Sequence, residues 1–153
     1  MRMAIVTLGE LLDRARSFEL RLESFYAEVR DRTPDNGVRL LTYYLSKHRR
    51  HQDLVFANFD AGRIASLRKA EFKHAIGFDP EERFRVPVIS PDTVTGEMLL
   101  QAAGEYDQAL INLYRTLLDQ PLIDEIKDVL ESLLRIEERD LVMLKKMQAM
   151  HYF

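Results

Sequence analysis

The chain has 153 residues, 46% hydrophobic and 31% charged, a mixture that suits one globular domain over residues 1–153 with a sizeable core. Its 22 basic and 25 acidic residues leave a formal net charge of −3, so no overall field draws it to nucleic acid or to an acidic lipid surface. It has no cysteine, which excludes disulfides, zinc ribbons, iron–sulfur clusters and thiol nucleophiles and leaves His, Asp and Glu as the available metal ligands.

The opening Met1 to Val6 is too short an apolar run for a signal peptide, and charges interrupt every later run before about 18 residues, so a cytoplasmic protein with no membrane partner is expected. Thr7 with Glu10 forms a capping box, and Leu8, Leu11, Leu12, Ala15, Leu22, Phe25, Tyr26 and Val29 follow at helical spacing, predicting a first helix from about Leu8 to Arg32. Thr33-Pro34-Asp35-Asn36-Gly37 is a turn that doubles as the next start, with Thr33 as cap and Pro34 at the first helical position. The second helix, with Leu41, Tyr44, Leu45, Val55 and Phe59 on its apolar face, is expected to run to about Asp60.

Residues 61–92 read as a crossover: a weakly helical piece from Ile64 to Ile76, the turn Gly77-Phe78-Asp79-Pro80, and an extended run from Phe84 to Pro91. His74 lies in it and is read as structural or exposed. A third helix starts near Thr93 or Thr95 and reaches Asp119, with Leu100, Ala103, Leu110, Tyr114 and Leu117 on one face. Pro121 resets the chain, and a fourth helix from there to about Met150 buries Ile126, Leu130, Leu133, Leu144 and Met147, leaving His151-Tyr152-Phe153 to fray.

Two short-linked helix pairs separated by a long connection are the loop order of an all-α, antiparallel four-helix bundle with one long crossover between helices 2 and 3. Phase adds to this. Glu19 lies four residues after Ala15 and three before Leu22, and His48 lies three after Leu45 while His51 lies four before Val55. Asp107 is four after Ala103, and Glu137 and Asp140 fall four after Leu133 and four before Leu144. A charge on the core face of a helix costs several kcal/mol unless it is paired or holds a metal, so six such groups predict one shared site.

Glu19 is followed six and seven residues later by Phe25-Tyr26, His48 and His51 are three apart, and Asp107 precedes Tyr114 by seven. In these elements, over roughly 100 residues of helix, the chain resembles the ferritin-like superfamily and especially its rubrerythrin-like branch, where each helix pair carries a Glu with an aromatic pair and then Glu-x-x-His. The resemblance implies a ferritin-like bundle with Glu19, His48, His51, Asp107, Glu137 and Asp140 as metal ligands. Three positions depart from the pattern: His48 stands where the family has Glu, Asp107 where it has Glu, and Asp140 where it has His. Four carboxylates and two imidazoles are nevertheless kept, a set that suits iron, with manganese and zinc also accommodated. A neutral imidazole donates one lone pair to one metal, so His48 cannot bridge as a Glu would, and Glu137 is left as the bridge. One ion or a lopsided pair is expected in place of a standard di-iron centre.

Two functions follow from these residues. With metal, the resemblance implies iron handling or oxidation by dioxygen or peroxide, a metal oxidoreductase whose electrons come from a separate donor, since the cysteines of a rubredoxin module are missing. Without metal, the carboxylates and histidines pair with one another as a buried network, and the bundle serves as a structural or protein-interaction module with no cofactor. A homodimer is expected in either case. Glu23, Glu105 and Glu138 read as solvated rim charges, Tyr26, Tyr44, Tyr106 and Tyr114 as core residues with one satisfied hydroxyl, and Lys47, Arg49 and Arg50 as a basic patch that binds no nucleic acid, with Arg49 and Arg50 on the polar face opposite the histidines.

Overall fold

The computed structural model describes residues 5–73, 77–84 and 90–150, and its backbone is overwhelmingly α-helical. Helix α1 (Leu8–Arg32) begins where the Thr7 hydroxyl accepts the Glu10 N–H at 3.1 Å, the cap the sequence predicts. Its exit is held by Arg39, whose guanidinium donates to the Arg30 and Thr33 carbonyls and so satisfies groups that a helix end leaves open. The second predicted helix starts later than expected, as α2 (Asn36–Leu45), because Asp35 and not Thr33 supplies the capping oxygen, accepting from Gly37 and Val38.

That second helix does not run unbroken to Asp60. It tightens into a 3₁₀ turn over Ser46–Arg49 before resuming as α3 (Arg50–Phe56). The side chains of Thr42 and Ser46 donate back to the Arg39 and Thr42 carbonyls at 2.6 and 2.7 Å, competing with the backbone in the way that bends helices. Beyond it, α4 (Ala61–Arg68) ends earlier than the predicted Ile64–Ile76 piece, because Lys69 and Ala70 turn their N–H groups onto Ser66 and Leu67. The chain then forms a strand, β2 (Glu71–Phe72), antiparallel to β1 (Val6–Thr7), with Val6 opposite Phe72 and Thr7 opposite Glu71. This small ribbon was not predicted; the β-branched Val6 and Thr7 favour it locally, but its partner lies 66 residues away.

A short helix, α5 (Pro80–Arg83), leads towards the two long helices α6 (Gly96–Leu118) and α7 (Asp124–Ala149). Of the two starts expected for the third helix, Thr93 and Thr95, Thr95 is the cap of α6, whereas α7 starts three residues beyond Pro121, with Asp124 and Glu125 as the acids in its first turn. Helices α6 and α7 lie along one another most extensively, α1 packs on α2 and on the 3₁₀ turn, α2 meets α6, and α3 meets α7. No helix among the described residues is long and apolar enough to cross a membrane. His74, the run 85–89 of the crossover and the tail 151–153, each given a reading above, lie outside the described residues.

The apolar interior forms two clusters. One gathers Leu8, Leu11, Leu12 and Phe18 of α1 with Leu110 and Leu117 of α6 and Leu130 and Leu133 of α7. The other gathers Tyr26 and Val29 with Leu41, Leu45, Leu100 and Leu144. Leu22 packs on both. Each fully buried leucine removes enough surface from water to contribute about 1.5–3 kcal/mol, so these clusters hold the helices rigidly on either side of the seam where the charged residues lie.

Candidate metal centre

Glu19 follows Phe18 of the first cluster and precedes Leu22 and Tyr26; Asp107 lies between Leu100 and Leu110; Glu137 lies between Leu133 and Leu144. Each long helix therefore carries its carboxylate to the seam between the clusters, where Glu19, Asp107 and Glu137 are 5%, 1% and 1% exposed. The 3₁₀ turn supplies the imidazole. His48 lies in that turn and His51 in the first turn of α3, three residues on and so on the same face, with ring centroids 4.2 Å apart.

His48 is the hub. Its Nδ1 lies 2.5 Å from Glu19 Oε1, and its Nε2 lies 2.8 Å from Glu137 Oε2 and 3.0 Å from Asp107 Oδ1. His51 Nδ1 meets the other oxygen of Glu137 at 2.9 Å. Asp140, half-buried, accepts from the Tyr44 hydroxyl at 3.4 Å. All six sequence-predicted residues are thus brought to one place. Candidate ligand atoms of His48, His51 and Glu137 lie within 4.8 Å of one another, and so do those of His48, Asp107, Glu137 and Asp140; Glu19 belongs to neither group and reaches the site only through His48.

Charge is distributed unevenly. Burial pulls the His48 imidazolium down, but the charges of Glu137 and Glu19 and the bonds to Asp107 and Glu137 outweigh it, and the group stands well above the ordinary histidine range. Burial pushes the Glu137 carboxyl up, yet His48 and His51 outweigh that and hold it at about 2. Asp107 goes the other way: burial, joined by the neighbouring Asp140 carboxylate, outweighs the downward pull of His48 and raises it to about 9. Tyr44 is pushed up to about 12 by burial and by Asp140, and Tyr26, Tyr106 and Tyr114 are raised by burial first and neighbouring carboxylates second.

The tyrosines are closer to the site than their reading as plain core residues implies. The Tyr106 hydroxyl donates to Glu19 Oε2 at 3.1 Å, and its ring lies 5.3 Å from that of His48, so it fixes the Glu19 carboxylate that in turn holds the imidazole. Helical phase places Tyr106 one residue off Asp107 without indicating which helix its hydroxyl reaches. Of the rim acids, Glu23 pairs with Arg49 at 2.9 Å, Glu138 pairs with Arg115 at 3.1 Å, and Glu105 accepts from Gln101. A cavity of about 230 Å³ adjoins the site, lined by His48, His51, Asp107, Asp140, Tyr26 and Tyr44, with Lys47 and Arg49 of the 3₁₀ turn among its walls. At roughly 30 Å³ per water it has room for several waters or a small ligand.

The sequence matches no protein-family model, and neither a curated protein nor a solved structure matches it.

The donor set fits a metal ion. Asp107 Oδ2 is buried with no hydrogen-bond partner among the described residues, an arrangement that costs about 1–3 kcal/mol unless a proton or a cation completes it. Imidazole with carboxylate suits iron, manganese or zinc.

Proposed function

We propose that this chain is a ferritin-like, antiparallel four-helix bundle that binds metal, iron best, at the seam of its core and serves in iron handling or in oxidation by dioxygen or peroxide. The helices of the bundle are α1, the interrupted α2–α3 segment, α6 and α7, and residues 61–92 form the crossover. The observation that carries the reading is the orphaned Asp107 Oδ2, gathered with His48, Glu137 and Asp140 into one group of four potential donors. A bound metal would supply electrophilic and redox chemistry there. The chain's own residues hold the ligands, with Glu19 and Tyr106 orienting His48, and the adjoining cavity admits a small oxidant. Electrons would come from a separate donor, and exposed Leu40, Tyr43 and Leu54 on the α2–α3 segment offer apolar surface for a homodimer.

A second reading has its own observation. His48 bonds carboxylates through both ring nitrogens and so neutralises the cluster without metal, as a structural network would. Metal analysis of protein purified without chelator, beside a His48→Ala/His51→Ala double variant, separates the two. Stoichiometric metal in the natural chain and its loss in the variant supports the first; trace metal in both leaves the structural network. Where iron is found, oxygen or peroxide consumption by the ferrous protein faster than by free ferrous ion marks an oxidase, and no acceleration marks storage.

A further inference from the structure

Two overlapping donor groups lie at the seam, one of His48, His51 and Glu137 and one of His48, Asp107, Glu137 and Asp140. They share His48. Its Nδ1 is taken by Glu19 at 2.5 Å, so only Nε2 faces the two groups, and one nitrogen lone pair serves one metal. Both positions cannot be filled with His48 in each.

The two groups are unequal. The second contains the buried oxygen without a partner, Asp107 Oδ2, and offers four donors against three. In the first, both imidazoles converge on one carboxylate, His48 on Oε2 and His51 on Oε1, and it holds no buried oxygen that lacks a partner among the described residues. Glu19 relates to His48 as a carboxylate does when it accepts the far N–H of a metal-bound imidazole, which fixes the tautomer and aims the other nitrogen. Tyr106 extends that chain by one bond, donating to the second oxygen of Glu19.

Resting on the metal-binding reading above, we propose that the chain binds a single divalent ion through His48 Nε2, Asp107, Glu137 and Asp140, with Glu19 and His51 as positioning residues. Glu19 aims His48, and His51 holds the free oxygen of Glu137.

Cobalt(II) titrated into the chelator-treated full chain, followed by its visible absorption and by dialysis, tests this. Saturation is expected at one ion per chain. Asp107→Asn and Asp140→Asn should each weaken binding by more than about 100-fold and alter the absorption, while Glu19→Gln and His51→Gln should weaken it by about 10–100-fold and leave the bands in place, as loss of an orienting partner does. Unchanged far-UV circular dichroism shows that the isosteric variants are folded, and the stoichiometry of the natural chain decides the main point without any variant. Two ions per chain overturn the proposal. So does loss of binding in His51→Gln with Asp107→Asn and Asp140→Asn binding normally. No cobalt bound by the natural chain overturns the metal-binding reading itself, a result distinct from the other two.

Discussion

Replacing His48 by alanine takes away the imidazolium that faces Glu19, Glu137 and Asp107 together, at 2.5, 2.8 and 3.0 Å. Breaking a buried pair by removing one partner costs about 3–5 kcal/mol, because the other is left uncompensated. Here the imidazolium's own burial cost disappears with it, so the loss stays near that of one pair although several carboxyls lose a partner. For a chain of this size about 2–4 °C accompany each kcal/mol, so the melting temperature should fall by roughly 6–20 °C. Glu137 is held at about 2, below its ordinary 4.5, so its contribution is present above 4.5 and is lost as pH falls towards 2. His48 is raised above its ordinary 6.5, so its contribution is complete below 6.5 and is lost as pH climbs through the folded value. The two overlap between 4.5 and 6.5, and the gap between natural chain and variant should be widest there. Urea unfolding of both proteins across that range and down to about pH 3, followed by circular dichroism, measures the gap. A gap below about 1 kcal/mol inside the window, or one that does not narrow on acidification, refutes the pairing energetics.

Other outcomes follow from the same geometry. A Cβ on Gly9 would meet the Arg68 Cβ and carbonyl oxygen at 3.1 Å, so Gly9→Ala should destabilise through overpacking that costs about 1–3 kcal/mol. A Cβ on Gly104 would meet only Leu141 Cδ1, at 3.7 Å, and Gly104→Ala should stabilise by up to about 1 kcal/mol through helix propensity; opposite signs in one urea series are expected, and a more stable Gly9→Ala contradicts the close approach. Leu117→Ala, at 0% exposure, should cost about 2–5 kcal/mol, whereas Leu40→Ala, at 68%, should stay within about 0.5 kcal/mol. Any metal must displace the His48 proton and the one that Asp107 keeps up to about 9, so affinity should rise with pH and calorimetry in two buffers of different ionisation enthalpy should show proton release; pH-independent binding counts against these ligands.

The predicted site residues were legible because a helix repeats every 3.6 residues, so a charge on the apolar stripe of α1, α6 or α7 is visible without knowing what lies opposite. Thr7 was legible as a cap for a similar reason, since it bonds the N–H three residues on, whereas the cap read at Thr33 falls to Asp35. What linear pattern could not supply was the partner of each group. The 3₁₀ turn at Ser46–Arg49 depends on side-chain bonds from Thr42 and Ser46 that compete with a helix they would otherwise be allowed to join, and periodicity passes over it unbroken. The β1–β2 ribbon joins residues too far apart for any local signal. The sequence by itself determined that the chain is helical and that six ionisable residues face inward, because both are properties of single helices. Only the tertiary structure decided that His48 would be the hub, that Glu19 would reach the site through it, and that Asp107 would hold an oxygen with no partner, because each depends on distances between helices that packing alone sets.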